Sequence, residues 1–384
     1  MAKATEFDKL RKSRRRKRMF RRIVAGLIFL VFAGVCFVSS SFVYQLDLGS
    51  RLDNLRASLE GGDGFPVSMS DLTILNLLPM DGDVAVATTA GTYLYNSNGA
   101  LTATCLNDFR TPQAKSAGGK LLTYDLGGTG LRVDNKRREL WAEEVEGGTL
   151  LAADIGENGA VAVAQTIAGS YAQVTAYNPR FELMYSWRVP DSYITGVSLS
   201  RDGTMMSCAG VGMEGQHVVG LLRIHHFDRD EEVARISFPD QVVVSMVWTG
   251  EEEVQVVTDK ALYLYSKEGE QLAMAELPGQ MVTFENVPGN LYVAYGDYRD
   301  PEGVTILAYS GDLEQVGEAS VDRKVLSLTA DGHHLLVLTE GQLYLGDPSL
   351  RELKARDHQG LYWVCLAGSS LYGITPDGLV REGL

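Results

Sequence analysis

The chain has 384 residues, of which 45% are hydrophobic and 22% charged, and its formal net charge is −14. This composition excludes a disordered chain, and the charge is distributed too unevenly for a plain soluble protein. Residues 1–22 contain eleven Lys and Arg against two acidic residues, residues 23–44 contain no charge, and the remaining 340 residues have a net charge of −23. So acidic a region also excludes a nucleic-acid binder that works through it.

Residues 23–44 form one uninterrupted apolar segment, IVAGLIFLVFAGVCFVSSSFVY. About 20 apolar residues in a helix cross a hydrocarbon core of about 30 Å, so the segment predicts a single transmembrane helix. A cleavable signal peptide has a shorter apolar core of roughly 7–15 residues, which favours an uncleaved signal anchor. Ser39–Ser41 leave cleavage open as the alternative. A lipoprotein anchor at Cys36 is disfavoured, because Val35 precedes it where a small residue is expected.

The basic run at residues 11–22, RKSRRRKRMFRR, lies directly before the apolar segment. A nuclear-import signal or a nucleic-acid arm has a similar composition. Next to a membrane span, however, Lys and Arg mark the cytoplasmic side. We therefore expect residues 1–22 to form a cytoplasmic tail against anionic headgroups, and residues 23–44 to lie in the bilayer. The acidic region would then be extracytoplasmic, in a single-pass protein of the cell membrane.

Residues 45–64 are expected to form a juxtamembrane stalk and a glycine-rich linker. One face of a short helix is indicated by leucines at helical spacing, Leu48, Leu52, Leu55 and Leu59. Gly61, Gly62 and Gly64 end this helix. Four leucines span too few heptads to specify a coiled coil. Dimerisation, packing against the following domain and contact with the membrane surface therefore all remain open.

From Phe65 onward, short apolar runs alternate with turn residues, and a similar phrase recurs along the chain. In each copy an apolar strand ends, a polar turn follows and a second strand begins. The residues that lead into these turns are Tyr95, Val133, Tyr177, Phe227, Tyr265, Tyr309 and Leu345, at steps of 38, 44, 50, 38, 44 and 36 residues. A unit of about 40 residues with four strands is the size of one propeller blade.

Seven full units fit between about Leu72 and His358, and an eighth begins at residue 359 and lacks its last strand. A closed ring has no exposed edge only if that blade is completed, which a strand from the start of the domain can do. Val67–Ser70 is the segment in the right place. The sequence thus predicts an all-β fold, a propeller of about eight four-stranded blades over residues 65–384, with seven blades as the alternative.

The turn phrases SRDG (200–203), TADG (329–332) and TPDG (375–378) are similar to the Asp-Gly turns of WD40-like propellers. The Gly-His and Trp-Asp pairs of WD40 repeats are missing, as are full Asp boxes and the tryptophan pattern of quinoprotein-like propellers. Trp141 and Trp187 are expected on outer strands, and Trp248 and Trp363 on inner ones. The whole layout resembles an uncharacterised bacterial family of membrane-anchored propellers. That resemblance implies fold and location, and it carries over no catalytic residue.

No catalytic, cofactor-binding or metal-binding residue is assigned, and no cofactor is expected. Six histidines were considered as ligands: His217, His225, His226, His333, His334 and His358. His225 and His226 are adjacent on a strand, so they point to opposite faces and do not chelate one ion together. His333 and His334 follow an Asp-Gly turn, where a solvated position is expected. Cys105, Cys208 and Cys365 are expected to be buried free thiols, because their wide spacing fits neither a disulfide framework nor a zinc site.

Three further segments have the composition of a ligand loop. The loop at residues 296–303, GDYRDPEG, is oxygen-rich but lacks the spaced ladder of a calcium loop, so a hairpin tip is expected. Glu251–Glu253 are expected in a charged turn. Gly127–Gly130 have the glycines of a phosphate loop without the Lys-Ser/Thr and the helix that must follow, which indicates a hairpin turn.

A complete repeat architecture without a catalytic motif favours a binding or scaffolding module for an envelope protein or a glycan. The alternative is an exported enzyme, carbohydrate-active or quinone-dependent, with carboxylates gathered at the channel mouth. A ligand sensor ranks third, because 22 cytoplasmic residues leave little room for an output domain.

Overall fold

The structure, a computed structural model, describes residues 48–297, 300–358 and 360–384. The tail at residues 1–22 and the apolar segment at residues 23–44 lie outside them. Among the described residues no helix is both long and apolar enough to cross a bilayer. The chain divides into two units, Met1–Asp53 and Asn54–Leu384, and the second contains every strand.

The first four blades are four-stranded antiparallel meanders. Their strands are β1 (Ile74–Met80), β2 (Asp83–Thr88), β3 (Gly91–Tyr95), β4 (Leu101–Leu106), β5 (Pro112–Ala117), β6 (Lys120–Asp125), β7 (Gly130–Asp134), β8 (Glu139–Glu144), β9 (Leu150–Ile155), β10 (Val161–Ile167), β11 (Ser170–Tyr177), β12 (Leu183–Val189), β13 (Ser192–Leu199), β14 (Met205–Glu214), β15 (His217–His226) and β16 (Glu232–Pro239).

The last four blades follow the same plan, except that the eighth has three named strands. Their strands are β17 (Val243–Trp248), β18 (Glu253–Thr258), β19 (Ala261–Ser266), β20 (Gln271–Glu276), β21 (Gln280–Val287), β22 (Asn290–Asp297), β23 (Asp300–Ser310), β24 (Gln315–Asp322), β25 (Val325–Ala330), β26 (Leu335–Thr339), β27 (Gln342–Gly346), β28 (Leu353–Asp357), β29 (Trp363–Ala367), β30 (Ser370–Thr375) and β31 (Gly378–Gly383).

The first strand of each blade is the innermost one. First strands of neighbouring blades lie side by side around the ring, and β29 of blade 8 contacts β1 of blade 1. The fourth strands lie at the rim. As expected, Trp141 and Trp187 lie on outer strands, and Trp248 and Trp363 on inner ones. The prediction of eight blades in one ring is confirmed.

The N-terminal segment closes the ring at blade 8. Val67 forms an isolated antiparallel bridge with Leu379 of β31, with reciprocal N–H···O=C distances of 2.9 and 2.8 Å. The Phe65 ring packs edge-on against Tyr372 of β30, with 5.8 Å between centroids. Val67 therefore takes the place of the missing fourth strand, as the sequence predicts, but by one bridge rather than by a full strand.

The core lies between the blades rather than at the centre of the ring. Second strands are buried over most of their length, and β2 (DVAVAT) and β26 (LLVLT) over all of it, because each is covered by a blade on both faces. Fourth strands are largely exposed or half-buried, as in β20 (QLAMAE), because one edge and part of each face meet solvent. Apolar residues of neighbouring blades form the contacts, for example those from blades 6 and 7 around Tyr292 and Leu335.

The recurring phrase corresponds to the turn between the third and fourth strands. Asn96 begins this turn in blade 1, and its Oδ1 accepts the amide protons of Asn98 and Ala100 at 2.9 and 3.0 Å. Asn178 does the same in blade 3, with the amides of Arg180 and Glu182 at 2.8 and 3.1 Å. A side-chain oxygen that bonds the backbone two to four residues on stabilises a tight reversal. This requirement explains the repeated aromatic-Asn or aromatic-Ser pair.

A helix, α1 (Leu48–Ser58), lies where the leucine spacing indicates one. Its leucines do not pack into the propeller: Leu52, Leu55 and Leu59 are 54%, 57% and 73% exposed. The interpretation that this apolar face packs against the domain is therefore wrong. The opposite, small and polar side of the helix faces the blades, and Ala57 is fully buried.

Cys105, Cys208 and Cys365 are buried free thiols on strands, as expected. Burial raises the pKa of the Cys208 and Cys365 thiols to about 12. These groups therefore stay protonated and pack as small apolar side chains.

Candidate functional site

The propeller has two faces that differ in what occupies them. In an antiparallel meander, successive turns fall at opposite ends of the blade. The helix face carries the turns between first and second strands and between third and fourth strands, such as Asp81-Gly82 and Asn96–Ala100. The connection face carries the second-to-third turns and the blade-to-blade connections, such as 126–129 and 107–111.

The end of α1 docks onto the helix face of blades 1 and 2. Asn54 Nδ2 donates to the Gly119 carbonyl at 2.8 Å, and Asn54 Oδ1 accepts the Lys136 amide at 2.9 Å. The Asn96 side chain donates to the carbonyls of Ala57 and Glu60, both at 2.8 Å. The last carbonyls of a helix lack partners within the helix, so Asn96 acts as its cap.

A buried ion pair lies under this docked segment. Lys136 Nζ donates to Asp83 Oδ2 at 2.8 Å, to Ser58 Oγ at 3.1 Å and to the Asp81 carbonyl at 3.2 Å. The Lys136 and Asp83 side chains are 3% and 7% exposed. All three ammonium protons have an acceptor, and the pair joins blades 1 and 2 to the chain segment that precedes the propeller.

The channel wall carries little charge, although the domain is strongly acidic. The eight innermost strands, all within the described residues, contain three charged residues: Lys115, Asp154 and Glu285. Lys115 Nζ and Asp154 Oδ1 form an ion pair at 2.9 Å between blades 2 and 3. Glu285 lies three blades further on; burial raises its pKa to about 7, an effect that the donated Ala330 N–H partly offsets. No two unpaired carboxylates lie on adjacent innermost strands.

Most innermost strands share a β-bulge at their start. Pairing with the second strand skips one residue in six of the eight blades: Leu75, Leu151, Thr195, Val244, Val282 and Leu326. In blade 8 the amide of Tyr362 donates to Ile374 O at 3.1 Å, although Ile374 already pairs with Trp363. Tyr362 thus lies directly before β29, at the same end of the innermost strand as the bulged residues. A bulge bends its strand and changes the direction of a side chain, and here it recurs at the same level of the ring.

These bulges produce an exposed apolar arc at the channel mouth on the connection face. We define the apolar arc as Val244, Val282, Leu326 and Tyr362, one from each of blades 5 to 8. Their side chains are 41–48% exposed. In three of these blades the residue before the arc residue is buried between blades, namely Val243, Val325 and Leu361. Exposed apolar side chains that recur on neighbouring blades at one level of the ring mark a surface for a partner.

The histidines considered as ligands are scattered. His225 is buried and His226 is partly exposed beside Asp228, which confirms that they point to opposite faces. His333 and His334 lie in the first turn of blade 7, and His358 Nε2 donates to the Thr339 carbonyl at 3.0 Å. In the described part of the chain, no group of three or more His, Cys, Asp or Glu side chains is placed to hold a metal ion.

The three glycine-rich or acidic segments are turns. Asp297 and Asp300 pair as the ends of β22 and β23, which confirms a hairpin; residues 298 and 299 lie outside the described residues. Glu252 in the first turn of blade 5 pairs with Lys267 at 2.6 Å. Gly127 takes a φ of +80° in the second-to-third turn of blade 2, as a hairpin turn requires.

Blades 3 and 4 share a polar cluster in which Arg223 and His225 are buried and the carboxylates of Asp191 and Glu232 are about one third exposed. The Arg223 guanidinium lies 5.3 Å from the Trp187 ring centroid and pairs with Asp191 and Glu232. The His225 ring lies 4.2 Å from the same indole, and burial lowers the pKa of His225 to about 4. The arrangement holds blades 3 and 4 together, and it is a structural feature rather than a site.

Sequence reasoning missed the two features that distinguish the faces. The apolar arc has a signal, because two adjacent apolar residues open most innermost strands, as in Val243-Val244 and Val325-Leu326. Lys136 has no such signal, because it stands in a basic turn, KRR, that looks solvated.

The closed ring of four-stranded blades defines the class: an eight-bladed β-propeller. Its sequence matches, over residues 67–349, the model of a family of unknown function, DUF5711. The chain belongs to this family. No curated protein sequence matches it.

Several solved propellers share the fold. BamB from Moraxella catarrhalis has a TM-score of 0.52 at 12% identity, with 81% of this chain and 98% of that chain covered. The C-terminal WD40 domain of Sif2 has a TM-score of 0.58 at 11% identity, with coverage of 84% and 99%. A eukaryotic initiation factor has a TM-score of 0.54 at 12% identity, with coverage of 82% and 84%. At these identities the likeness shows the fold alone.

Proposed function

We propose that this protein is a membrane-anchored binding or scaffolding module that holds an envelope protein at the connection-face mouth of its channel. The observation that carries the proposal is the apolar arc, which is formed by a β-bulge in blades 5, 6 and 7 and by Tyr362 at the start of blade 8. Burying the exposed parts of its four side chains contributes on the order of 3 kcal/mol, enough for an interface core within a larger contact. An apolar surface fits a protein segment better than a glycan.

An exported enzyme is the weaker reading of the same channel. A glycosidase needs two carboxylates on either side of one bond, within about 5–10 Å. The innermost strands offer Asp154, which is paired with Lys115, and Glu285, three blades away. The innermost strands therefore supply a contact surface rather than a pair of facing carboxylates.

The arc is tested by photo-crosslinking in the full chain, expressed in its own membrane. A photoreactive residue replaces Leu326, and in a control it replaces Leu272, an exposed leucine on the rim strand β20. One defined protein adduct is expected at Leu326 and not at Leu272. The adduct should disappear when Val244→Asp and Val282→Asp are added, and remain with Leu272→Asp.

Equal adducts at both positions, or an adduct that the aspartates do not weaken, would refute the arc as the binding surface. A protease-resistant carbohydrate adduct would identify a glycan partner instead. Specific hydrolysis of an envelope glycan by the purified full chain, lost in Glu285→Gln, would support the enzyme.

The location is a separate part of the proposal. The uncharged segment 23–44 after a +9 tail supports an anchor with residues 65–384 outside the cytoplasm. Protease added to intact cells is expected to destroy the propeller and spare residues 1–22. Survival of the propeller in intact cells, followed by its digestion after lysis, would show that the propeller lies in the cytoplasm.

A further inference from the structure

The docked end of α1 is two-sided. Asn54, Ala57 and Ser58 face the propeller, with Ser58 Oγ donating to Asp83 Oδ2 at 2.5 Å. Because these contacts fix the rotation of the helix about its axis, the side that bears the leucines is held away from the blades. The apolar side is therefore exposed because the docking contacts hold the helix in this rotation, and not because the segment is frayed.

The exposed side combines leucines with basic residues. Leu55, Arg56 and Leu59 are exposed, and Arg51 and Leu52 are exposed one turn earlier in α1. The neighbouring turn of blade 2 adds Arg137 and Arg138, both exposed. Arg137 pairs with Glu60 of the docked segment. In a domain with a net charge of −23, this is a local basic and apolar surface.

We propose that this surface, Leu55, Arg56 and Leu59 with Arg137 and Arg138 beside them, lies on the headgroup region of an anionic bilayer. Apolar side chains flanked by Arg are the composition of an interfacial helix, in which the apolar groups enter the headgroup boundary and the cations meet lipid phosphates. The proposal rests on the membrane anchor proposed above.

Chain length supports the bilayer over a second copy of the protein. Three residues, 45–47, separate the predicted span from Leu48, and they reach at most about 14 Å when extended. The start of α1 thus stays near the membrane surface.

The test uses the full chain in vesicles of phosphatidylcholine with or without phosphatidylglycerol. All variants carry Cys36→Ser, which leaves only the three buried cysteines. A polarity-sensitive fluorophore is attached at Leu55→Cys, and in the matched control at Leu272→Cys on β20. Lipids with a headgroup-level nitroxide then quench the fluorophore according to its depth.

We expect severalfold stronger quenching at residue 55 than at residue 272, and a larger difference with phosphatidylglycerol. Arg56→Gln should reduce the gain from the anionic lipid. Equal quenching at both positions would overturn the proposal. Weak lipid quenching together with energy transfer between labels at residue 55 on two chains would assign the surface to a second copy. Failure of the anchor itself shows separately, as protein that does not float with the vesicles.

Discussion

Lys136 tests whether the docked segment and the first two blades are stabilised as one structure. Lys136→Met keeps the length of the side chain and the amide that donates to Asn54 Oδ1, and it removes only the ammonium. Asp83 then remains buried with two neutral donors, the Ser97 amide at 3.0 Å and Ser58 Oγ at 2.5 Å. Breaking a buried pair from one side costs about 3–5 kcal/mol, because the remaining charge is uncompensated.

The free energy of unfolding is measured by urea titration of the full chain in detergent, followed by tryptophan fluorescence, with trypsin cleavage at Arg56 as a local readout. Lys354→Met is the matched control: its partner Glu352 lies 3.1 Å away and both are more than 70% exposed, so the loss should be under about 1 kcal/mol. Lys136→Met combined with Asp83→Asn should recover most of the loss. A single variant that loses no more than the control, or a double variant as unstable as the single, would refute the reasoning.

Three further predictions concern pH and ring closure. Burial raises the pKa of Glu285 in the folded protein to about 7, above its unfolded value, so the free energy of unfolding is higher at low pH and falls as pH rises through 7. Glu285→Gln should therefore be stabilised relative to the wild type by up to about 3 kcal/mol more at pH 8 than at pH 5. Parallel pH profiles of the two proteins would contradict this. Burial lowers the pKa of His225 to about 4, so the free energy of unfolding should fall by up to about 3 kcal/mol as pH drops from about 6.5 to 4. In urea titrations at a series of pH values, His225→Phe should abolish this pH dependence. Gly378→Ala places a Cβ 2.1 Å from the Val67 carbonyl oxygen, at a φ of +126°. The rate of hydrogen exchange at the Leu379 amide should therefore rise far more than in the control Gly82→Ala, where φ is +83° and no atom lies within 4 Å of the added Cβ. Equal exchange rates in the two variants would show that the bridge does not close the ring.

The strand order and the blade count could be read from the chain because each blade repeats a local requirement. A turn that starts with Asn96 or Asn178 needs a side-chain oxygen, and the buried second strands need continuous apolar runs. Closure by Val67 was also predictable, since an incomplete last blade leaves an unpaired edge that must be filled.

The difference between the two faces was decided only by tertiary structure. The leucine spacing of α1 identifies an apolar side, but which side meets the propeller depends on Asn96 and Lys136, which are far along the chain. The apolar arc likewise exists only when three bulges and Tyr362 are brought to one mouth by the closed ring. Local sequence determines periodicity and turns because their energies are local, whereas the partner of a given face is set by side chains from other blades.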